Sequence, residues 1–345
     1  MFSWKKKMLA VLLSGTALFM AAGCGGSQSA DKKAAPAKGA GKKGEIVVYT
    51  SQPEADIQKI ITAFNKQNPD VKVNVFRSGT EEVISKVMAE QKAGSVKADV
   101  LLVADDVTFT RLKEQKLLEA YKSPELKGIP AQFIDKENMF TGTKVITTGI
   151  MVNTKQAKAD PKGLKDLVKA EYKGQLIMPS PLYSGAAAYN LGVLTRTKDM
   201  GWKFYEDLKA NGVTVVKGNG AVQKAVAAGE KAYGLVADYM ANRSRMKGAP
   251  VKFIYPAEGS PFVTEPIGLM KASKNKDAAK AFIDFVLGQK GQEVAAQMGY
   301  TPVKEGVKAP EGLKSIKEFK ALAGDVTALF KGREGDKKKF SSLFH

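Results

Sequence analysis

The corner Ser184-Gly185, in the stretch SPLYSGAAAYNLG (180–192), has residue types that suit the binding of an anion. It follows the apolar run QLIMP and leads into three alanines, so we expect it to join a strand to a helix. The first backbone N–H groups of a helix have no partner within the helix, and they attract anions. Small residues also let a helix pack closely on a sheet. The corner is therefore either an anion site or a packing turn.

Histidine and cysteine are almost missing from this sequence, and this limits its chemistry. The single histidine is His345 and the single cysteine is Cys24. Ser-His-Asp and Cys-His catalysis are excluded, as are ordinary zinc sites built on imidazole or thiolate. Carboxylates remain, so a secreted acid–base enzyme using Asp105, Asp106 and Asp238 is one hypothesis. The sequence offers it no nucleophile–base pair, and we expect neither catalysis nor a resident metal or cofactor.

The first 44 residues are expected to form a signal and a tether. Three lysines in MFSWKKK precede the apolar run MLAVLLSGTALFMAAG, which ends at Cys24. This pattern resembles a bacterial lipoprotein signal, in which residues 1–23 are removed and Cys24 is lipidated; an uncleaved membrane anchor is the alternative. Residues 24–44 are rich in Gly, Ala, Ser and Lys and predict a flexible tether. The resemblance implies a protein held by lipid at the extracytoplasmic face of the cell membrane.

The net charge of +19 stays basic when these segments are set aside. They contain eight lysines and one acidic residue, so 46 basic and 34 acidic residues remain from Glu45 onward, a net charge of +12. The lysines are scattered through amphipathic helices, with no basic run interleaved with aromatic residues, so nucleic acid is not an expected partner. A basic body near a membrane, or one whose field attracts an anionic ligand, fits this charge better.

Strand and helix patterns alternate in two separate stretches, at 45–105 and at 175–239. Such alternation indicates βαβ units. One extended run, 144–155, lies between these stretches, and a second, 265–273, follows the later one. We therefore predict an α/β fold of two lobes, the second inserted into the first, with a hinge of two crossings and a cleft between the lobes. The predicted ranges are 45–147 with 266–345 for the first lobe, and 148–265 for the second.

An ordered set of segments carries a resemblance to a known family. The segments include IVVYTS, AFNKQNPDVKV, ADVLLVAD, TTGIMVN, VQKAVAAGEKAYGLVADY and EPIGLMKASKNKDAAKAFIDFVLGQKGQEVAAQMGY. Together they resemble the extracellular solute-binding proteins, family 1, of ABC importers, in the branch that binds ferric iron, phosphonates or phosphate esters. The resemblance covers the mature core. It implies a periplasmic-binding-protein-like fold of type II, and a monomer that closes on a solute and delivers it to a membrane permease.

The resemblance also implies ligand contacts from loops at the carboxyl ends of strands, where open α/β sheets bind their ligands. In the first lobe these are Ser51, Ser78, Gly79, Thr80, and Asp105 or Asp106; in the second they are Ser184, Gly185, Ala186, Asn219, Asp238 and Tyr239. Each Ser-Gly turn opens a helix whose positive end favours an anion. The alternatives are structural: the Ser-Gly-Thr turn and the aspartates as helix caps, and Tyr239 as a core residue.

The tyrosines and the residues at the helix starts indicate which ligand the cleft would bind. Ferric members of the branch place two adjacent tyrosines at the position of ADYMANR, whereas here Tyr239 is followed by Met240. Serine and glycine at two helix starts on a basic protein favour a phosphonate, a phosphate ester or another small oxyanion. Iron(III) as the transported ligand is the alternative, with oxygen supplied by Tyr183, Tyr189 and Tyr239.

Overall fold

Strands and helices alternate along most of this protein in its computed structural model, which describes residues 43–344. The predicted signal, the lipidation site Cys24 and most of the tether lie outside the described residues. The strands are β1 (Gly44–Thr50), β2 (Val71–Arg77), β3 (Val100–Leu102), β4 (Leu118–Glu119), β5 (Thr141–Asn153), β6 (Leu176–Pro179), β7 (Thr214–Val216), β8 (Tyr233–Ala237), β9 (Val251–Ile254), β10 (Ser260–Met270), β11 (Thr301–Pro302) and β12 (Ala321–Leu322).

The α-helices are α1 (Glu54–Asn65), α2 (Thr80–Lys92), α3 (Asp106–Glu114), α4 (Gly185–Arg196), α5 (Gly201–Ala210), α6 (Asn219–Ala228), α7 (Asp238–Met246), α8 (Lys276–Leu287), α9 (Gln289–Gln297) and α10 (Val326–Phe344). Short 3-10 helices span Pro124–Leu126, Ala131–Phe133, Leu164–Val168 and Ala170–Tyr172. Within residues 43–344, no helix combines the length and the apolar character needed to cross a membrane.

The helices form where the apolar spacing predicts them. In α1, the residues Ile57, Ile60, Ile61 and Phe64 recur at helical spacing, and all four are buried. Strand β3 is apolar throughout and buried along its length, as expected for a parallel strand that is covered on both faces.

The strands follow one path in the order β2-β1-β3-β10-β5-β8-β6-β7. Strand β1 pairs in parallel with β2 and with β3, and β6 pairs in parallel with β7 and with β8. The long strands β10 and β5 run antiparallel to each other between these two parallel groups. The parallel groups are the sheets of two α/β lobes: the first lobe contains β1–β3 and the second contains β6–β8.

Strand β5 links the lobes by changing partners along its length. Thr147 is the last of its residues to pair with β10, opposite Phe262. Thr148, the next residue, pairs with Ala237 of β8. Hydrogen bonding along one strand therefore passes from one sheet to the other within a single step, while the complete lobe ranges given above stay a prediction.

The C-terminal helix α10 contacts both lobes. Arg333 forms an ion pair with Glu81 of α2, in the first lobe, with 2.7 Å between Nη2 and Oε1. Phe340 is fully buried, and its ring centre lies 6.1 Å from that of Tyr205 on α5, in the second lobe. The segment predicted to belong to the first lobe thus ends in a helix that also packs on the second.

Candidate ligand-binding cleft between the two lobes

A cavity of about 110 Å³ lies between the lobes, at the carboxyl ends of their parallel strands. Ser51 and Gln52 follow β1, and Arg77 ends β2. From the second lobe, Ser184 follows β6, and the wall continues through the residues after β7 and β8. This is the position at which open α/β sheets bind ligands.

Five helices begin at the wall of this cavity. Residues from the first turn or the cap of α1, α2, α4, α6 and α7 line it, namely Pro53, Thr80, Gly185, Asn219 and Tyr239. The first N–H groups of a helix lack intrahelical acceptors, and the helix dipole places partial positive charge at this end. Pro53 has no N–H group, and the N–H of Tyr239 already donates to Asp238, so the donors come from the starts of α2, α4 and α6. These three helix ends make the wall electropositive, which suits an anion.

Hydrogen bonds of Ser184 and Asn219 connect the starts of α4 and α6 within the second lobe. The Ser184 hydroxyl oxygen accepts from the backbone N–H of Ala187 at 3.3 Å and from Asn219 Nδ2 at 3.2 Å. Asn219 Oδ1 in turn accepts from the backbone N–H of Ala237 at 3.3 Å. Because both lone pairs of the Ser184 oxygen are engaged, its O–H group is left to act as a donor.

One cationic and one anionic side chain line the cavity, Arg77 and Glu265. Arg77 donates from Nε to the backbone carbonyl of Gln52 at 2.8 Å, and no carboxylate of the described residues lies within ion-pair distance of its guanidinium. Glu265 is 4% exposed and forms an ion pair with the buried Lys144. The charge of Glu265 is thus balanced within the protein, whereas that of Arg77 is available to a ligand.

Two glycines permit close contact between the lobes at the cavity. A Cβ atom on Gly79 would lie 2.6 Å from the ring and the carbonyl oxygen of Tyr183, and one on Gly185 would lie 2.8 Å from the carbonyl oxygen of Ala104. The backbone N–H of Glu81 also donates to the Tyr183 carbonyl at 3.3 Å across this contact. The small residues of both corners are thus required by the approach of one lobe to the other.

The structure brings most of the predicted site residues to this cavity. Those that line it are Ser51, Gly79, Thr80, Ser184, Gly185, Ala186, Asn219 and Tyr239. The corner at Ser184 combines both alternatives raised by its sequence, because it caps a helix, packs against the other lobe and lines the cavity.

Four predicted residues do not line the cavity: Ser78, Asp105, Asp106 and Asp238. The hydroxyl of Ser78 bonds to Glu82 on the adjacent helix. Asp105 is fully buried; it accepts from the backbone N–H of Thr108 at 2.9 Å and so caps α3. Asp238 is also buried, and its carboxylate accepts from the backbone N–H groups of Thr147 and Tyr239. These contacts are those of caps and core groups.

Burial raises the pKa of two of the aspartates that the acid–base hypothesis names. The pKa of Asp238 rises to about 7 because its carboxyl is removed from water, and that of Asp106 rises to about 6 for the same reason. Asp106 accepts from the Thr264 hydroxyl at 2.7 Å and does not line the cavity.

Tyr239 lines the cavity, but its ring belongs to a buried aromatic cluster. The ring centre lies 4.2 Å from that of Tyr300, and the Arg243 guanidinium lies 4.6 Å from the Tyr239 ring. Burial raises the pKa of Tyr239 further above its usual range, which disfavours a phenolate. Residues 43–344 contain no cluster of three or more His, Cys, Asp or Glu side chains placed to hold a metal ion.

Sequence reasoning missed Gln52, Arg77 and Glu265, which also line the cavity, as does Tyr183, which the sequence suggested only as an oxygen ligand for iron. Arg77 directly precedes the predicted Ser78-Gly79 turn, so its position at the end of a strand could have identified it as a candidate for the cleft. Glu265 lies within the long strand β10, where no feature of the local sequence distinguishes it from a structural residue.

Comparison with known proteins places these observations in a family. Residues 95–325 match the model of the bacterial extracellular solute-binding protein family. The Fe(3+)-binding periplasmic protein of Serratia marcescens is 27% identical over 260 residues, which are 72% of this chain and 75% of that protein.

Solved structures resemble this fold across nearly their whole length. The periplasmic binding protein AfuA from Actinobacillus pleuropneumoniae, with fructose-6-phosphate bound, has a TM-score of 0.81 and 24% identity, covering 87% of this chain and 98% of AfuA. Iron-bound HitA from Pseudomonas aeruginosa has a TM-score of 0.75 and 22% identity, covering 86% and 99%. These likenesses confirm the predicted two-lobe α/β fold. The family match over residues 95–325 shows that this chain belongs to the bacterial extracellular solute-binding proteins.

Proposed function

We propose that this protein captures a small anionic solute, a phosphonate or a phosphate ester, in the interlobe cleft and delivers it to the permease of an ABC importer. The convergence of the N-termini of α2, α4 and α6, from both lobes, on one cavity supports this proposal most strongly. A relative from Sinorhizobium fredii is named a probable ABC transporter periplasmic-binding protein; it is 25% identical over 62% of this chain.

The charges in the wall agree with an anionic ligand. Arg77 is without a carboxylate partner among the described residues, and a guanidinium binds phosphate oxygens through charge-assisted hydrogen bonds. Glu265 is neutralised by Lys144. Helix ends and Arg77 therefore act together on a ligand, and an anion held by both lobes would favour their closure.

Ferric iron is the second candidate, because oxygen-bearing side chains of Tyr183, Tyr239 and Glu265 line the same cavity. The relative from Serratia marcescens is named for Fe(3+) binding. Two observations favour the organic anion over iron: the pKa of Tyr239 is raised by burial, and Glu265 already has Lys144 as a partner.

A binding role is favoured over catalysis. The acid–base hypothesis depended on Asp105, Asp106 and Asp238, and these side chains serve as caps and buried acceptors away from the cavity. The compared proteins are named as binding proteins. We infer that this protein binds its solute as a monomer and releases it chemically unchanged.

A lipid anchor at Cys24 is also part of the proposal, and it would hold the protein at the extracytoplasmic face of the membrane. Cells expressing the full chain or a Cys24→Ser variant should be fractionated. The anchor predicts that the unaltered protein stays with the membrane and the variant is soluble; equal partition of both would contradict it.

The ligand class is tested by isothermal titration calorimetry with phosphate esters, phosphonates and iron(III) citrate. We expect a phosphate ester or a phosphonate to bind and iron(III) citrate to give no specific heat. Arg77→Met should weaken anion binding by about tenfold or more. Lys224→Met removes the same charge from an exposed position on α6 and should not. Tight iron binding that is indifferent to Arg77→Met would contradict the proposal.

A further inference from the structure

The wall of the cavity contains one carboxylate, that of Glu265, and this group restricts the ligand further. We propose that the ligand carries a hydroxyl group in addition to its phosphate or phosphonate, and that Oε1 of Glu265 accepts a hydrogen bond from this hydroxyl. The inference rests on the proposed function, since it concerns the same cleft.

The two carboxylate oxygens of Glu265 have unequal surroundings. Oε2 accepts from Gln52 Nε2 at 2.8 Å and forms the ion pair with Lys144. The one hydrogen bond that Oε1 accepts within the described residues comes from the Ser51 hydroxyl, at the long distance of 3.5 Å. Glu265 is only 4% exposed and lines the cavity. A buried carboxylate oxygen is a strong acceptor, and leaving it poorly partnered is unfavourable.

Neighbouring groups fix Glu265 in this orientation. Gln52 is 1% exposed and donates its amide N–H to Oε2. Lys144 is 2% exposed, and its ammonium also lies 4.8 Å from the centre of the Tyr300 ring. Both partners of Oε2 are therefore held in place by burial, and Oε1 remains the oxygen available to a ligand.

A fully ionised phosphate or phosphonate group has acceptors only, so it satisfies the helix N–H groups and Arg77 but not Glu265. A second group on the ligand, with a proton to donate, would satisfy Oε1. A neutral hydroxyl fits better than an ammonium group for two reasons. Lys144 already balances the charge of Glu265, and the helix ends and Arg77 make the rest of the wall electropositive.

The test is calorimetric titration of the wild-type protein with three esters that differ at one position: ethyl, 2-hydroxyethyl and 2-aminoethyl phosphate. A second pair, propyl phosphate and glycerol 3-phosphate, tests hydroxyl groups on a carbon chain that is longer by one atom. We expect at least one hydroxylated ester to bind about tenfold or more tightly than its alkyl counterpart. We also expect the amino ester to bind less tightly than the hydroxylated one.

The double variant Lys144→Met/Glu265→Met removes both charges together, so no unpaired ion is left buried. In it the ratio of the affinity for the hydroxylated ester to that for the alkyl ester should fall to about one; because both esters are measured on the same variant, a general change in affinity cancels from this ratio. The alkyl ester serves as the internal control for damage to the cleft. If the double variant does not fold, the comparison of esters on the wild-type protein still decides.

Three results would overturn the inference: alkyl esters that match their hydroxylated counterparts, an amino ester that binds most tightly, or a hydroxyl preference that survives in the folded double variant. Failure of the proposed function would give a different result, because none of the phosphate esters would then bind the wild-type protein. In that case the inference about the hydroxyl group fails as well.

Discussion

Arg333 on the C-terminal helix lies against Asp105 at the start of α3, with Nη1 at 2.9 Å from Oδ2 and 3.0 Å from Oδ1. Asp105 is fully buried and Arg333 is 8% exposed. The same guanidinium donates to Glu81 at 2.7 Å. The last helix of the chain thus neutralises two acidic groups beside the cleft, and this leaves Asp105 unavailable to a solute.

The Arg333→Met variant should lose substantial stability. It leaves the Asp105 carboxylate buried without its cationic partner, and breaking a buried pair in this way costs about 3–5 kcal/mol. Urea unfolding followed by circular dichroism measures the loss. Arg111→Met is the matched control, because Arg111 pairs with the exposed Glu334 and such pairs contribute about 0–1 kcal/mol. Equal stability of the two variants would contradict this role.

The positions of residues that follow from local sequence patterns were predictable, whereas contacts between distant parts of the chain were not. The corners at Gly79 and Ser184 each follow a strand pattern and precede a helical one, so their place at the cleft could be predicted. Asp105 also follows a strand, yet its partner lies 228 residues later in the chain, and no local feature indicates that pairing. Glu265 was missed for the same reason, because its contacts with Gln52 span 213 residues.

The Gly185→Ala variant should bind its solute at least about tenfold more weakly while keeping its fold. The new Cβ would lie 2.8 Å from the Ala104 carbonyl oxygen of the opposite lobe, well inside contact distance, so the lobes could not close fully. Calorimetry with a phosphate ester measures the affinity. Gly220→Ala is the control at the same cavity, because a Cβ atom added at Gly220 would have no neighbour within 4 Å. Matching affinities in the two variants would show that the contact at Gly185 is not needed for binding.

The Asp238→Asn variant should remove one contribution to the pH dependence of stability. The pKa of Asp238 is about 7 in the folded protein, against about 3.9 in an unfolded chain. The folded state therefore holds this proton more tightly, and the carboxyl destabilises the fold as pH rises from about 4 to about 7. The full contribution is about 4 kcal/mol.

The measurement is the unfolding free energy of wild type and variant at several pH values. Their difference should move in favour of Asp238→Asn as pH rises and level off above about pH 7. Asp70→Asn, at an exposed turn, should show no such trend. A difference that does not vary with pH would mean that Asp238 titrates as it does in the unfolded chain.

The Tyr183→Phe variant separates the two ligand candidates. Iron(III) would use the phenolate oxygen, so its binding should collapse when this oxygen is removed. A phosphate ester held by helix N–H groups and Arg77 should lose less than about tenfold, the value of one hydrogen bond. Titration of both ligands into both proteins gives the comparison. Loss of all phosphate-ester binding in this variant would be inconsistent with a site built on helix ends.

The central claim, that helix ends from both lobes clasp an anion, is tested most directly by native mass spectrometry of the protein as purified from cells that express its importer. The account predicts an added mass that corresponds to one small phosphorus-containing anion, retained by wild type and by Gly220→Ala and lost from Arg77→Met. An added mass of a single iron ion, retained in Arg77→Met and lost in Tyr183→Phe, would contradict it.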